Sequence, residues 1–120
     1  MSLTRLILMG LVLWTPAQAQ DAGAGSQVFQ HACSICHSAA KGEIIVGPSL
    51  FGVVGREAGS VAGFHYSAAT RDSKITWSTE ELDRYVMMPQ EVVPGTTMGF
   101  RGLKDPKQRA DLIRYLETLR

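Results

Sequence analysis

Apolar residues recur at helical spacing in three segments of this 120-residue chain, and long glycine-rich stretches separate those segments. The first segment spans residues 26–37, with Ser26 as its predicted N-cap and two cysteines in its predicted last turn. Residues 40–73 contain many glycines, and no helical or strand period persists there for more than a few positions. Apolar side chains are nevertheless frequent in that stretch. We therefore expect it to be ordered, with something other than neighbouring helices to pack against.

Local capping signals predict the other two helices. Ser78 followed by Glu81 matches a capping box, and Pro89 is expected to end that helix. Asp105 and Pro106 are predicted to begin the last helix, with one apolar face formed by Leu112, Ile113, Tyr115, Leu116 and Leu119. These patterns predict an all-α fold of about three main helices joined by long structured loops.

Residues 1–19 are predicted to be a signal peptide that is cleaved from the chain. Arg5 supplies a positive charge, residues 6–14 are a short apolar run, and Ala17 and Ala19 form the small-residue pattern of a cleavage site. The apolar run is shorter than the roughly 20 residues needed to span a bilayer. The alternative, an uncleaved anchor, would require a helix that continues through Pro16. Residues 20–120 are then expected to form one exported domain, located in the periplasm.

Charge and composition narrow the class of protein further. The formal charge of the whole chain is +1, and removal of Arg5 with the leader leaves eleven basic and eleven acidic side chains. Such a balance lacks the basic footprint of a nucleic-acid-binding protein, so we expect no nucleic-acid partner. The length is that of a single domain.

The two cysteines, Cys33 and Cys36, are followed directly by His37 in the stretch CSICHS. A thioredoxin-like dithiol would require a preceding strand, and none is predicted there. A structural zinc ion would need a fourth ligand, and neither His31 nor His65 has finger-like spacing. A disulfide across so short a loop would restrain little of the chain. The pattern C-x-x-C-H is instead typical of covalent haem attachment, which in bacteria occurs outside the cytoplasm and so agrees with the leader.

A second iron ligand is predicted in the stretch PGTTMGF. Met98 lies there, in a loop whose proline and glycine can present a side chain at a fixed point. Met87 and Met88 lie at a predicted helix end, where packing against the haem or the core is the simpler interpretation. Ligation by a methionine thioether closes the sixth position, whereas an open position would favour a sensor or a peroxidase.

The order of these motifs resembles class I cytochrome c, a family that includes mitochondrial cytochrome c and soluble periplasmic relatives. The resemblance extends from Gly25 to Leu119 and rests on GSQVFQHACSICHS, GPSLFGVVGREAG, GFHYSAAT, ITW, YVMMP, VPGTTMGFRGLKDP and ADLIRYL. It implies an all-α fold in which the loops wrap around one covalently bound haem c. A bundle of the cytochrome c-prime type would carry its C-x-x-C-H near the other end of the chain.

The resemblance also implies a role for individual residues. Cys33 and Cys36 would form the thioethers, with His37 and Met98 as the axial iron ligands. The Pro48 carbonyl would accept a hydrogen bond from the His37 ring. Further cofactor-binding side chains would be those near the haem propionates and the methionine sulfur, namely Arg56, Tyr66, Trp77, Tyr85 and Thr96. On the first helix Gly25 and Phe29 would cross Leu112 and Tyr115 of the last.

The chain departs from its mitochondrial relatives in its few lysines, which are Lys41, Lys74, Lys104 and Lys107. Those relatives use a lysine ring at the haem edge to bind acidic partners. Here Gln90, Glu91 and Thr97 stand where the family often has lysine. We therefore expect weak electrostatic steering, with an apolar patch near the haem edge contributing more to docking. The absence of lysine between Pro89 and Met98 should also block or reroute replacement of the methionine by lysine at alkaline pH.

These observations predict a monomeric single-electron carrier that cycles between Fe(III) and Fe(II) and is not an enzyme. Its expected partners are membrane redox complexes, respiratory or photosynthetic: a cytochrome bc complex, a terminal oxidase or a reaction centre. The alternatives are a haem peroxidase or gas sensor, if Met98 does not bind iron, and a dedicated cytochrome subunit of a dehydrogenase.

Overall fold

The computed structural model describes residues 20–120 together with Leu11 and Leu13, so the predicted signal peptide lies largely outside the described residues. The described chain forms five helices and no strand. The helices are α1 (Ala22–Ala32), α2 (Ala68–Asp72), α3 (Thr79–Met87), α4 (Pro89–Val92) and α5 (Pro106–Glu117). Two isolated antiparallel bridges, His37 with Ile44 and Glu57 with Thr76, join parts of the loops. None of the described helices has the length and apolar content needed to cross a bilayer. The all-α prediction, with three main helices, is confirmed.

Helix α1 begins earlier and ends earlier than its sequence pattern predicted. Its N-cap is Asp21, whose carboxylate accepts hydrogen bonds from the backbone N–H groups of Gly23 and Ala24 at 2.8 and 3.2 Å. The prediction that Ser26 caps this helix was therefore wrong. The helix stops at Ala32, and Cys33 is its C-cap, so the prediction that the cysteines lie on the last helical turn was also wrong. The termination follows from two N–H groups, those of Cys33 and Ser34, that both donate to the Phe29 carbonyl.

The capping signals of α3 and α5 were interpreted correctly, with one difference. The Ser78 hydroxyl accepts from the Glu81 N–H at 3.1 Å, but the Glu81 carboxylate pairs with Arg84 and does not complete a capping box. Helix α3 ends at Met87, and Pro89 then begins the single-turn helix α4. Asp105 caps α5 by accepting from the N–H groups of the second and third helical residues. The glycine-rich stretch 40–73, expected to lack regular structure, contains the short helix α2.

The core forms where α1 crosses α5. Gly25 is buried, and a Cβ built on it would clash with the Asp111 backbone carbonyl and lie 2.9 Å from the Tyr115 Cβ. The Phe29 ring packs on the Tyr115 ring, with centroids 5.5 Å apart, and Leu112 is almost completely buried. The predicted crossing of the first and last helices is therefore present. Helix α3 packs against α4 and α5 and contributes Leu82, Tyr85 and Val86 to the same core.

Candidate haem site

One large cavity opens between the α1–α5 pair and the loops. Its volume is about 550 Å³, within the range of small-molecule and cofactor sites, and its walls are mainly apolar. All the residues predicted as site residues line it: Cys33, Cys36, His37, Pro48, Arg56, Tyr66, Trp77, Tyr85, Thr96 and Met98. The helices provide Leu82, Val86, Leu112 and Leu116 as an apolar wall. The loops thus pack around this cavity, which explains how a glycine-rich segment can be ordered.

The C-x-x-C-H stretch forms a tight turn at the cavity wall. The N–H groups of Cys36 and His37 both donate to the Cys33 carbonyl, at 3.1 and 2.9 Å. This turn places the two thiols and the imidazole side by side even though α1 has already ended. Both cysteines are free thiols.

The environment of the thiols does not suit redox chemistry of their own. Burial, assisted by the neighbouring Cys36 thiol, raises the pKa of Cys33 to about 11. A catalytic dithiol requires the opposite shift, because the thiolate is the reactive form. Among the described residues no group of three or more His, Cys, Asp or Glu side chains is arranged to hold a metal ion. The redox-dithiol and zinc interpretations therefore gain no support from the geometry.

The orientation of the His37 ring is fixed by a hydrogen bond and by backbone packing. The ring Nδ1 lies 2.7 Å from the Pro48 carbonyl, so in the neutral ring that nitrogen donates and Nε2 is left unprotonated and able to accept. Gly47 is packed against the same ring, since a Cβ built on it would lie 2.8 Å from Nδ1. Burial lowers the pKa of His37, and the nearby Arg56 charge acts in the same direction, whereas the Pro48 carbonyl opposes them. The neutral imidazole is the form that binds iron.

Met98 lies on the segment between α4 and α5, and Thr96 connects it to α3. The Thr96 hydroxyl accepts from the Met98 N–H at 3.3 Å and lies 2.9 Å from the Tyr85 hydroxyl. Tyr85 is buried, and burial raises the pKa of its hydroxyl, which therefore stays protonated at neutral pH. The same Tyr85 ring packs on Trp77, with centroids 4.7 Å apart.

Arg56 brings a positive charge to the cavity wall. Its Nη1 donates to the carbonyls of Ser49 and Phe51 at 2.9 and 3.1 Å. No carboxylate of residues 20–120 lies within ion-pair distance of it. The Tyr66 hydroxyl, also on the wall, accepts from the Val61 N–H at 3.1 Å and keeps its own proton available. An apolar cavity with an unpaired guanidinium is suited to a large apolar ligand that carries anionic groups.

Together these groups fit haem c: two free thiols, one imidazole, one thioether and one cation surround an apolar cavity of suitable size. His31 and His65, expected at the surface, are both exposed. Sequence reasoning missed two contributors, Gly47 and the side chain of Gln90, which donates to the Met98 carbonyl at 3.3 Å. The contact of Gly47 with the His37 ring and that of Gln90 with the Met98 carbonyl each join residues that are separated along the chain. Only Gly47, which directly precedes Pro48, lies in a local sequence pattern.

Comparison with known proteins agrees with this interpretation. The sequence model of the cytochrome c family matches residues 22–120. Cytochrome c2 of Rhodopila globiformis is 49% identical over 96 residues, which cover 80% of this chain and 91% of that protein. Cytochrome c2 of Blastochloris viridis is 46% identical over 103 residues, or 85% of this chain and 80% of that one. The solved structure of cytochrome cH from Methylobacterium extorquens superposes with a TM-score of 0.77 at 41% identity, covering 82% of this chain and 98% of that chain. The chain therefore belongs to the class I cytochrome c family, whose members are electron carriers that bind one covalent haem c.

Proposed function

We propose that this chain is an exported single-electron carrier whose haem iron is bound between His37 and Met98. The observation that carries the proposal is the position of these two side chains on the wall of one apolar cavity, beside Cys33 and Cys36. When bound, haem supplies an iron that cycles between the ferric and ferrous states. The protein supplies a water-poor environment and ligands that do not change, which keeps reorganisation small.

The chain's own residues would each perform a separate task. Cys33 and Cys36 would hold the haem by thioether bonds to its vinyl groups. The Pro48 carbonyl would keep the His37 ring oriented through its Nδ1 proton, which raises the basicity of the other nitrogen. The thioether of Met98 would favour the ferrous state and raise the reduction potential.

The polar residues of the wall would bind the haem propionates. Arg56 is partly buried without a carboxylate partner among residues 20–120, so an anionic group would compensate its charge. The Tyr66 hydroxyl donates to no described group, and Trp77, which is 7% exposed, also lines the wall. Tyr85 and Thr96 would act mainly by holding the Met98 segment through their mutual hydrogen bond.

The proposed location is the periplasm, and residues 1–19 would be the leader that directs the chain there. The proposed partners are membrane redox complexes, of the cytochrome bc, terminal oxidase or reaction-centre type. The similarity to bacterial cytochromes c2 supports this choice.

A rim of exposed apolar side chains lies at the edge of the cavity next to Cys36. Ile35 is 80% exposed, Val46 69%, Ile45 49% and Ile44 38%. The segment 44–46 lies beside the cysteine turn because the Val46 N–H donates to the Cys36 carbonyl at 3.2 Å. Ile35 and Val46 also line the cavity itself. This rim supports the prediction that an apolar patch near the haem edge contributes more to docking than electrostatic steering does.

We expect electron transfer from the ferrous protein to membranes of its source organism to depend weakly on salt. The rate should fall by no more than about twofold when ionic strength is raised tenfold, because a neutral protein with an apolar rim gains little from steering. Stopped-flow absorbance of the haem would give the rate. A steep decline with salt would contradict apolar docking, and no transfer at any salt would contradict the carrier function.

A matched pair of variants locates the docking surface in the same assay. Val46→Glu adds one negative charge to the rim, and Gln108→Glu adds the same charge on α5, away from the cavity. We expect only Val46→Glu to slow the transfer.

A further inference from the structure

The segment that carries Met98 has few backbone hydrogen bonds. Between Pro94 and Gly102, only two carbonyls accept a hydrogen bond from described residues: those of Thr96 and Met98. The next backbone anchor after this segment is the Leu103 N–H, which donates to the Val86 carbonyl at 2.7 Å. The backbone anchor before Met98 is the Thr96 N–H, which donates to the Val93 carbonyl at 2.9 Å. From Thr97 to Gly102 no backbone group bonds to another backbone group of the described residues.

Both of those carbonyls accept from one side chain, the amide of Gln90. Its Nε2 lies 3.2 Å from the Thr96 oxygen and 3.3 Å from the Met98 oxygen. An amide NH₂ group has two protons, so one side chain can donate to both carbonyls. Gln90 is on helix α4, which begins with the buried Pro89. The donor therefore sits on a fixed element.

We propose that Gln90 is a positioning residue that holds the Met98 segment closed over the cavity. This inference rests on the proposed function, because the role of Gln90 would be to limit how often the Met98 thioether leaves the iron. Gln90 supplies the side-chain hydrogen bonds at the carbonyls of this segment, and Thr96 supplies the one at the Met98 N–H. A neutral amide suits this role because it adds no charge beside the cavity.

The exposure of Gln90 limits the strength of the two bonds but does not remove their effect. An exposed hydrogen bond is weaker than a buried one, so each contributes at the low end of the usual range. Two bonds lost together should raise the rate of segment opening by about three- to tenfold. The change should affect opening of this segment more than global unfolding, because the α1–α5 core is untouched.

The test is the binding of cyanide to the ferric holoprotein, followed by the haem absorbance at increasing cyanide concentration. Cyanide can bind only after Met98 has left, so the rate should reach a plateau equal to the opening rate. Gln90→Glu keeps the shape of the side chain and removes both donors. Gln108→Glu is the control, since it makes the same change at an exposed glutamine on α5. We expect the plateau to rise about fivefold in Gln90→Glu and to stay unchanged in Gln108→Glu.

Gln90→Glu removes the two hydrogen bonds and also adds a charge, and a second variant, Gln90→Met, separates these two effects. Methionine keeps the length of the side chain but has neither donors nor charge. A plateau that rises in both Gln90 variants, with an unchanged unfolding midpoint, supports positioning. Equal plateaus in all variants and the native protein would overturn it. A native rate that increases linearly with cyanide and equals the rate of Met98→Leu would mean that Met98 does not ligate the iron, and would overturn the proposed function together with this inference.

Discussion

A chain in which Cys33 and Cys36 are both replaced by serine is expected to lose its covalent haem and, with it, the folded state. Without haem, the apolar walls of a cavity of about 550 Å³ would lose their packing partner and be exposed to water, which is unfavourable. The total stability of a small protein is only about 5–15 kcal/mol, so we expect that loss to unfold it. Haem staining after denaturing electrophoresis and near-ultraviolet circular dichroism would measure the two losses.

Ser34→Ala is the matched control for this double variant, because it changes a residue between the two cysteines. It removes a hydrogen bond from the Ser34 hydroxyl to the Gln30 carbonyl and leaves both thiols in place. We expect it to keep its haem and its fold. A double-serine variant with native near-ultraviolet dichroism and an unchanged unfolding midpoint would show that haem does not fill the cavity.

Gly25→Ala is expected to destabilise the protein by about 3 kcal/mol, lowering the unfolding midpoint by on the order of 15 °C. The added Cβ would clash with the Asp111 carbonyl, which belongs to the backbone of α5 and cannot rotate away. The two helices would have to separate, and the packing of Phe29 on Tyr115 would loosen. Thermal unfolding of the holoprotein followed by circular dichroism gives the midpoint.

Gly23→Ala, two residues earlier on the same helix, isolates this effect from helix propensity. Both substitutions gain the same helix propensity, about 0.5–1 kcal/mol. A Cβ on Gly23 would meet only the Asp21 carboxylate, at 3.2 Å, and that side chain can adjust. We expect Gly23→Ala to unfold close to the native midpoint. Equal midpoints for the two variants would contradict the close crossing of α1 and α5.

The helices with strong local signals were predicted well, and the helix that depends on distant contacts was not. Ser78 and Asp105 act within their own helices, so sequence spacing is enough to identify them. Helix α1 begins with Ala-Gly-Ala-Gly, whose two glycines have low helix propensity. It forms because Gly25 packs on α5 and because the Asp21 N–H donates to the Asp111 carboxylate at 2.8 Å. Such contacts join residues about 90 positions apart and leave no local pattern.

The features of the candidate site also fall into those that local sequence predicts and those that depend on distant contacts. The spacing of C-x-x-C-H and the loop around Met98 are local, and the sequence predicted a haem protein from them. The packing of Gly47 against the His37 ring and the two hydrogen bonds of Gln90 depend on how the loops fold over the cavity. Val46 illustrates the same limit, since its place beside the cysteine turn follows from the hydrogen bond of its N–H group to the Cys36 carbonyl.

The central claim is that Met98 completes the iron site, and the far-red absorption band of methionine-ligated ferric haem tests it most directly. Met98 lines the cavity, whereas Met87 and Met88 do not. We predict that the native protein and the control variant Met88→Leu show the band and that Met98→Leu lacks it. A native ferric spectrum without the band, or a band that survives in Met98→Leu, would contradict the account.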